Sequence, residues 1–317
     1  MQKVKSFFVQ NIQFLCALAL LLMILVLSLF PQKFSNATFS GIKVWAEILL
    51  PSMFVFFVLT KLLVSNKATS KVFLPIDKVM SKIYKTKKYC GYVFSLSILA
   101  GYPVGAKVVS ELYSAGEIGQ NDAKKILALS STSSPMFIIG SLGSGIFSDT
   151  KLGCVVLFSH ILSSLFNGLV FRKQSGENLY KKRSVGQNRA NFSEIVQDSI
   201  ISILMVGGYI SLCFTLVEFL LIPISKLAIS ESFVVCFIKG IIEVTSGCVA
   251  LSKMAVSTKL LAITLSALVS FGGLCIHFQS YIFLKKVGIK YSYFLKIKLV
   301  QTLFAVLSSV VLAFVFL

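Results

Sequence analysis

The chain is predicted to fold as an all-α polytopic membrane protein, and three observations carry that prediction. Of its 317 residues 56% are apolar and only 14% charged, and its mean hydropathy is +0.86, well outside the balance of a water-soluble domain. Apolar runs long enough to cross a hydrocarbon core of about 30 Å recur from one end of the sequence to the other. The 31 lysines and arginines, set against 12 acidic residues, fall mostly in the polar stretches between those runs, as the positive-inside rule expects. The net charge of +19 therefore belongs to a membrane topology and excludes a nucleic-acid groove, since no basic patch interleaves with aromatics.

Taken in order, the segment 12–30 follows Lys3 and Lys5 and leads directly into Pro31, Gln32 and Lys33. A cleaved signal peptide would show a shorter apolar core and small residues at its end, so this segment reads as a retained first helix. Plain spans are expected near 44–64, 152–171, 196–223 and 299–317. Four further apolar stretches carry helix breakers at their middles. The stretch 89–113 contains Gly101, Tyr102, Pro103, Val104 and Gly105, and 126–147 contains Ser130, Ser131, Thr132, Ser133, Ser134 and Pro135 before Gly140, Gly143 and Gly145. The stretch 232–251 contains Glu243, Val244, Thr245, Ser246 and Gly247, and 260–284 contains Ser270, Phe271, Gly272 and Gly273. Proline removes a backbone donor and glycine loosens the helix, so the freed polar groups must be satisfied inside a bundle rather than by lipid.

Charge bookkeeping orients these pieces. The loop 61–88 holds eight lysines against the single acid Asp77, and the linker 172–194 holds Arg172, Lys173, Lys181, Lys182, Arg183 and Arg189; both are expected in the cytoplasm. An odd number of crossings must then separate Lys88 from Asp149, so one of the two apolar stretches between them turns back. The stretch 89–113 fits, because its break leaves two arms of about eleven residues, each roughly 16 Å long, half a membrane. It is expected to be a re-entrant hairpin, with 126–147 crossing as a discontinuous helix. In the second half 196–223 crosses outward, 232–251 dips in and returns, 260–284 crosses inward, and 299–317 crosses out. This puts Lys285, Lys286, Lys290, Lys296 and Lys298 in the cytoplasm. The result is seven crossings, with the N-terminus inside and the C-terminus outside in a multi-pass cell-membrane protein. An N-terminal segment 1–43 is followed by two repeats of opposite orientation, 44–171 and 196–317, joined by the basic linker 172–195. Inverted repeats with discontinuous helices are the build of secondary transporters, whose solute sites lie near the midplane.

The runs Gly101-Tyr102-Pro103-Val104-Gly105-Ala106-Lys107 and Ser133-Ser134-Pro135-Met136-Phe137-Ile138-Ile139-Gly140, then His160, Glu243 to Gly247 and Ser270 to Gln279, resemble the sporulation integral membrane protein YlbJ family. The resemblance covers most of the chain from about Trp45 onward. That family carries the nucleoside-recognition or Gate domain, similar to parts of concentrative nucleoside transporters, ferrous-iron transport proteins and spore maturation proteins. Where the family usually has an asparagine-containing stretch, this chain reads Ser130-Ser131-Thr132. The resemblance implies a role in endospore formation in a Gram-positive bacterium, in spore envelope or cortex assembly. It names no solute, since fold alone does not establish a ligand.

Ionisable groups inside a membrane are costly and are functional candidates by default. Glu243, beside Thr245, Ser246 and Gly247 at the second hairpin tip, is the first; a carboxylate there could bind a cation or a ribose-like hydroxyl, or simply pair with Lys239 one turn earlier. Lys107 and Glu111 form the same spacing in the first hairpin, Lys107 as a charge for an anionic group and Glu111 as an ion-coupling group, or both as a structural pair. Ser131, Thr132, Ser133 and Ser134 offer hydroxyls and freed amides at a break, unless they bond back to local carbonyls. Gly272 and Gln279 occupy the matching slot in the second half. His160 is a candidate proton carrier or an interhelical hydrogen bonder, and His277 reads likewise. Glu47 and Asp198 read as interfacial charges, and the glycines from Gly140 to Gly145, with Gly207 and Gly208, as helix-packing positions.

Seven scattered cysteines and two histidines show no metal-ligand spacing, and no nucleophile and base stand at catalytic spacing. No cofactor, no metal and no enzymatic activity are expected. The expected partners are the lipid bilayer, a small polar solute and other sporulation membrane proteins, and the sequence is compatible with a homo-oligomer. The competing function is a non-transporting scaffold that recruits partners through the loops 61–88 and 172–194.

Overall fold

The computed structural model describes residues 2–66, 68–173, 191–222 and 232–317. Among them every regular element is a helix. Four helices are long and apolar enough to cross a membrane: Thr150–Phe171, Phe192–Leu221 and Tyr291–Phe316 match expected plain spans, and Thr258–Val287 covers the broken stretch 260–284, whereas Met53–Leu63 in the span expected near 44–64 and Met136–Ile146 in 126–147 are only short apolar helices. A fifth is formed if Phe14–Leu29 and Pro31–Leu49, which meet at 98°, count together. Most of the linker 172–195, including Lys181, Lys182, Arg183 and Arg189, lies outside the described residues.

The N-terminal helix α1 (Gln2–Leu29) is apolar, and its side chains from Phe14 to Phe30 are largely exposed, as suits a helix whose solvent is lipid. Helix α2 (Pro31–Val44) passes through a π-helical turn, Trp45–Leu49, into α3 (Leu50–Ser65). The helix that opens the first half thus begins at Pro31 instead of residue 44, with proline in the first turn, where its missing N–H costs nothing. It packs antiparallel to α10 (Phe192–Leu221). Lys33 pairs with Glu218 at 3.6 Å, Thr38 meets Thr215 at 2.7 Å, and the Trp45 indole donates to the Ile203 carbonyl at 3.0 Å. Further on, Lys61 donates to Ser202 at 2.8 Å and to the carbonyl of Asp198. A Cβ on Gly207 would stand 2.7 Å from the Trp45 ring and one on Gly41 2.8 Å from the Ser211 backbone, so glycine allows this contact; Gly208 faces open space.

The stretch 61–88 holds two helices, α4 (Thr69–Val72) and α5 (Leu74–Ile83), where a plain loop was expected. Beyond it, 89–113 divides as predicted into two eleven-residue arms, α6 (Cys90–Ala100) and α7 (Val104–Ser114). Gly101 sits between them at φ +73°, and the Tyr102–Pro103 peptide is cis. The next broken stretch is α8 (Gln120–Leu129), the non-helical run Ser131 to Ser134, and a π-helix, Met136–Ile146. It lies antiparallel to α9 (Thr150–Phe171): Asn167 donates to the Ala128 carbonyl at 2.7 Å, and Gly153 packs so closely on Gly143 that a Cβ would stand 3.1 Å from the Gly143 Cα.

After α10 come the short arms α11 (Phe233–Ile242) and α12 (Val244–Leu251), split at Glu243. They lie so close that a Cβ on Gly247 would be 2.2 Å from the Gly240 Cα. Then α13 (Thr258–Phe271) and α14 (Gly273–Val287) meet at Gly272, whose φ of +87° only glycine takes without strain. They run antiparallel to α15 (Tyr291–Phe316), with Lys259 over the Phe314 ring at one end and Tyr281 against Tyr291 at the other. Helices α9 and α15 are themselves antiparallel neighbours: Phe171 meets Tyr293, and Phe166 meets Phe304.

Candidate functional site

All four helix breaks converge. A Cβ on Gly101 would lie 2.9 Å from the Ser134 amide, and one on Gly105 only 2.0 Å from the Ser130 carbonyl. The first break is thus pressed onto the second at a distance only glycine permits. Thr132 adds a hydrogen bond to Ser97 on α6 at 3.0 Å. A Cβ on Gly273 would reach the Ile242 carbonyl and the Val244 amide, both at 3.3 Å, so the fourth break rests on the third. His160 ties the second to the fourth: its Nε2 accepts from the Ser133 amide at 2.9 Å, and its Nδ1 shares a 2.7 Å hydrogen bond with Ser270. Both ring nitrogens of this fully buried histidine are occupied, which makes it an interhelical strut.

Between the breaks lies a cavity of about 80 Å³. Its polar wall comes from Tyr102, Ser133, Ser134, Glu243, Thr245 and Gln279, joined by Cys275, and its apolar wall from Leu49, Met53 and Phe57 on the opening helix of the first half and Val206 and Ile210 on α10. Residues singled out from three separate stretches of sequence, Ser133 and Ser134, Glu243 and Thr245, and Gln279, thus share one chamber. Ser131, Thr132, Ser246 and Gly272 belong to the same breaks but lie behind the lining. Gly272 adjoins Tyr102 and Lys298, to which a Cβ would make ordinary contacts of 3.6 and 3.7 Å, so its φ and not the space is what asks for glycine. Lys107 and Glu111 lie away from the chamber; they face each other at 3.9 Å and are each about two-fifths exposed, so the chamber draws no charge from them.

Glu243 is 5% exposed and does not pair with Lys239. Lys239 turns to Glu218 at 3.7 Å, the acid that also holds Lys33. The Glu243 carboxylate instead caps α12: Oε1 accepts from the Thr245 amide at 3.0 Å and Oε2 from the Ser246 amide at 2.6 Å. A carboxyl oxygen at a helix N-terminus satisfies amides that lipid could not. Each carboxylate oxygen accepts more than one hydrogen bond, so the cap leaves lone pairs for a guest in the chamber.

Lys298 overturns its expected cytoplasmic place. Helix α15 begins two turns before residue 299, at Tyr291, which carries Lys298 into the bundle with no exposed surface. Its ammonium donates to the Tyr102 hydroxyl at 2.5 Å, to the Gln301 side-chain carbonyl at 3.0 Å and to the Ser131 carbonyl at 3.3 Å. Tyr102 passes its own proton toward the Ser131 carbonyl at 2.8 Å. Among the described residues no carboxylate forms an ion pair with Lys298. A buried lysine is therefore held by neutral oxygens of the first two breaks and of Gln301 on its own helix. His277, the other buried histidine, shares a proton with Tyr291 at 3.1 Å and bonds the Phe271 carbonyl at 2.9 Å, mending the end of α13.

The chain is similar to the sporulation integral membrane protein YlbJ of Bacillus subtilis (strain 168), with 25% identity over 87% of this chain and 76% of that protein. The similarity supports the resemblance to the YlbJ family, and that relative is named as an integral membrane protein of sporulation. No protein-family profile matches the chain, and no solved structure matches it.

Proposed function

Taking the chain as a relative of YlbJ, we propose that it is a permease-like protein of sporulating cells that binds and moves a small polar solute, nucleoside-like or ionic, through the chamber where the four breaks meet. The observation that carries this reading is the convergence itself. Unwound backbone inside a membrane is tolerated where it lines a cavity, and transporters place such breaks at the solute site. What supports two inverted repeats is the antiparallel pairing of corresponding helices, the opening helix with α10 and α9 with α15, together with the parallel order of parts in each half. On this reading 89–113 and 232–251 are re-entrant hairpins of Gate-like repeats, and the protein conducts no bond-making chemistry. On this reading Glu243, Thr245, Ser133 and Ser134 hold the solute, with Gln279 as an amide partner and Tyr102, bonded to Lys298, in the same lining.

The test is uptake by proteoliposomes offered a panel of nucleosides, small anions and monovalent and divalent cations. The wild-type protein is expected to accumulate at least one of them, and Glu243→Ala combined with Ser133→Ala to abolish that uptake. Uptake that survives the double substitution would refute the chamber as the path.

A further inference from the structure

Helix α5 divides its surface three ways. Asp77, Met80, Ser81 and Tyr84 are buried against the bundle, whereas Ile76, Val79 and Ile83 are exposed to 46%, 60% and 43%. Lys78 and Lys82 are exposed as well. At 100° per residue these sets form stripes about 120° apart. Val72 and Lys71, just before the helix, extend the apolar and basic stripes. The one acid of the stretch 61–88 is withdrawn from the surface: Asp77 accepts from the amides of Tyr89 at 2.9 Å and Gly91 at 2.8 Å, so the outward faces are apolar or cationic only. Lys71, Lys78 and Lys82 form no ion pair among the described residues.

We propose that α5 is an interfacial helix that binds an anionic lipid surface, with Val72, Ile76, Val79 and Ile83 sunk among the acyl chains and Lys71, Lys78 and Lys82 on headgroup phosphates. A soluble protein would not leave such an apolar stripe open, and beside a membrane-embedded helix the adjoining bilayer is the apolar phase at hand. Charge complementarity selects the headgroup, since a lysine stripe without a carboxylate draws negative lipid. The contact bears on the chamber through one rigid helix. Asp77 caps α6 at its N-terminus, a Cβ on Gly91 would meet the Asp77 backbone at 2.7 Å, and α6 ends at Gly101 and Tyr102.

Hydrogen–deuterium exchange of the full-length protein tests this in nanodiscs of phosphatidylcholine alone and of phosphatidylcholine with phosphatidylglycerol. Amides of 74–83 are expected to exchange at least about five-fold more slowly with phosphatidylglycerol, about that factor for each lysine engaged. Lys71→Gln with Lys78→Gln and Lys82→Gln should remove the difference, while exchange in α10 stays as in wild type and certifies the fold. Equal exchange in the two lipids, or a difference that persists in the triple variant, would overturn the proposal; equal, strong protection in both would mean that an uncharged surface covers the stripe.

Discussion

Removing the Glu243 carboxylate separates its two roles. In Glu243→Ala the amides of Thr245 and Ser246 lose their acceptors, bonds of 3.0 and 2.6 Å to the carboxyl oxygens. A buried donor left without a partner costs about 1–3 kcal/mol, and water entering the adjoining cavity recovers part of that, so the net loss over the two amides is about 2–4 kcal/mol. In detergent the melting temperature should fall by roughly 4–12 °C. Aspartate is a strong N-cap, and Glu243→Asp should keep stability within about 1 kcal/mol while withdrawing the carboxylate from the chamber by one methylene. The pair is read by thermal unfolding of purified protein alongside proteoliposome uptake. Glu243→Asp should melt like wild type and transport poorly. Equal stability in all three proteins would refute the cap, and full uptake by Glu243→Asp would refute the carboxylate as a contact for the solute.

Lys298→Met replaces a buried lysine by an apolar chain of similar length and removes the cost of burying an amine without a carboxylate partner; the melting temperature is expected to stay close to wild type while uptake drops several-fold, since Tyr102 loses a hydrogen bond of about 0.5–1.5 kcal/mol. The Gln301 amide, whose nitrogen has no partner among the described residues, would then lose its remaining one, which sets the limit on how neutral the substitution can be. His160→Ala removes both the Ser133 and Ser270 bonds and should cost about 2–4 kcal/mol by thermal unfolding, with His160→Gln recovering part of the loss. Gly247→Val forces α11 from α12 at a place with 2.2 Å of room and should prevent accumulation of folded protein, as read by size-exclusion chromatography of detergent extracts.

The positions of the breaks were legible because the residues that make them are chemically conspicuous: Pro103 between glycines, five hydroxyl residues before Pro135, Glu243 in an apolar run, and the Gly272-Gly273 pair. Arm lengths followed from counting. What sequence could not supply was the direction of individual charges. Lys298 sits two residues from Lys296 and reads as part of a basic helix end; only the start of α15 at Tyr291 shows that it lies two turns inside. Glu243 looked to Lys239 by helical spacing, but the backbone breaks at Glu243 itself, which turns its side chain forward onto the α12 amides and leaves Lys239 to Glu218. In 61–88 the density of lysines hid the period of Ile76, Val79 and Ile83, and the role of Asp77 depends on a partner helix twelve to fourteen residues away. Tyr102, inside the run Gly101 to Lys107, carries no signal of a site role in the sequence because its partners, Lys298 and Ser131, are distant along the chain.

The claim that two halves of opposite orientation bring their breaks to one chamber is tested most directly by topology. Compartment-sensitive reporters would be placed after Leu317 and at residue 187 in the basic linker. The account predicts residue 187 in the cytoplasm and Leu317 outside. Both reporters on the cytoplasmic side would contradict it, because the second half would then cross an even number of times and could not invert the first.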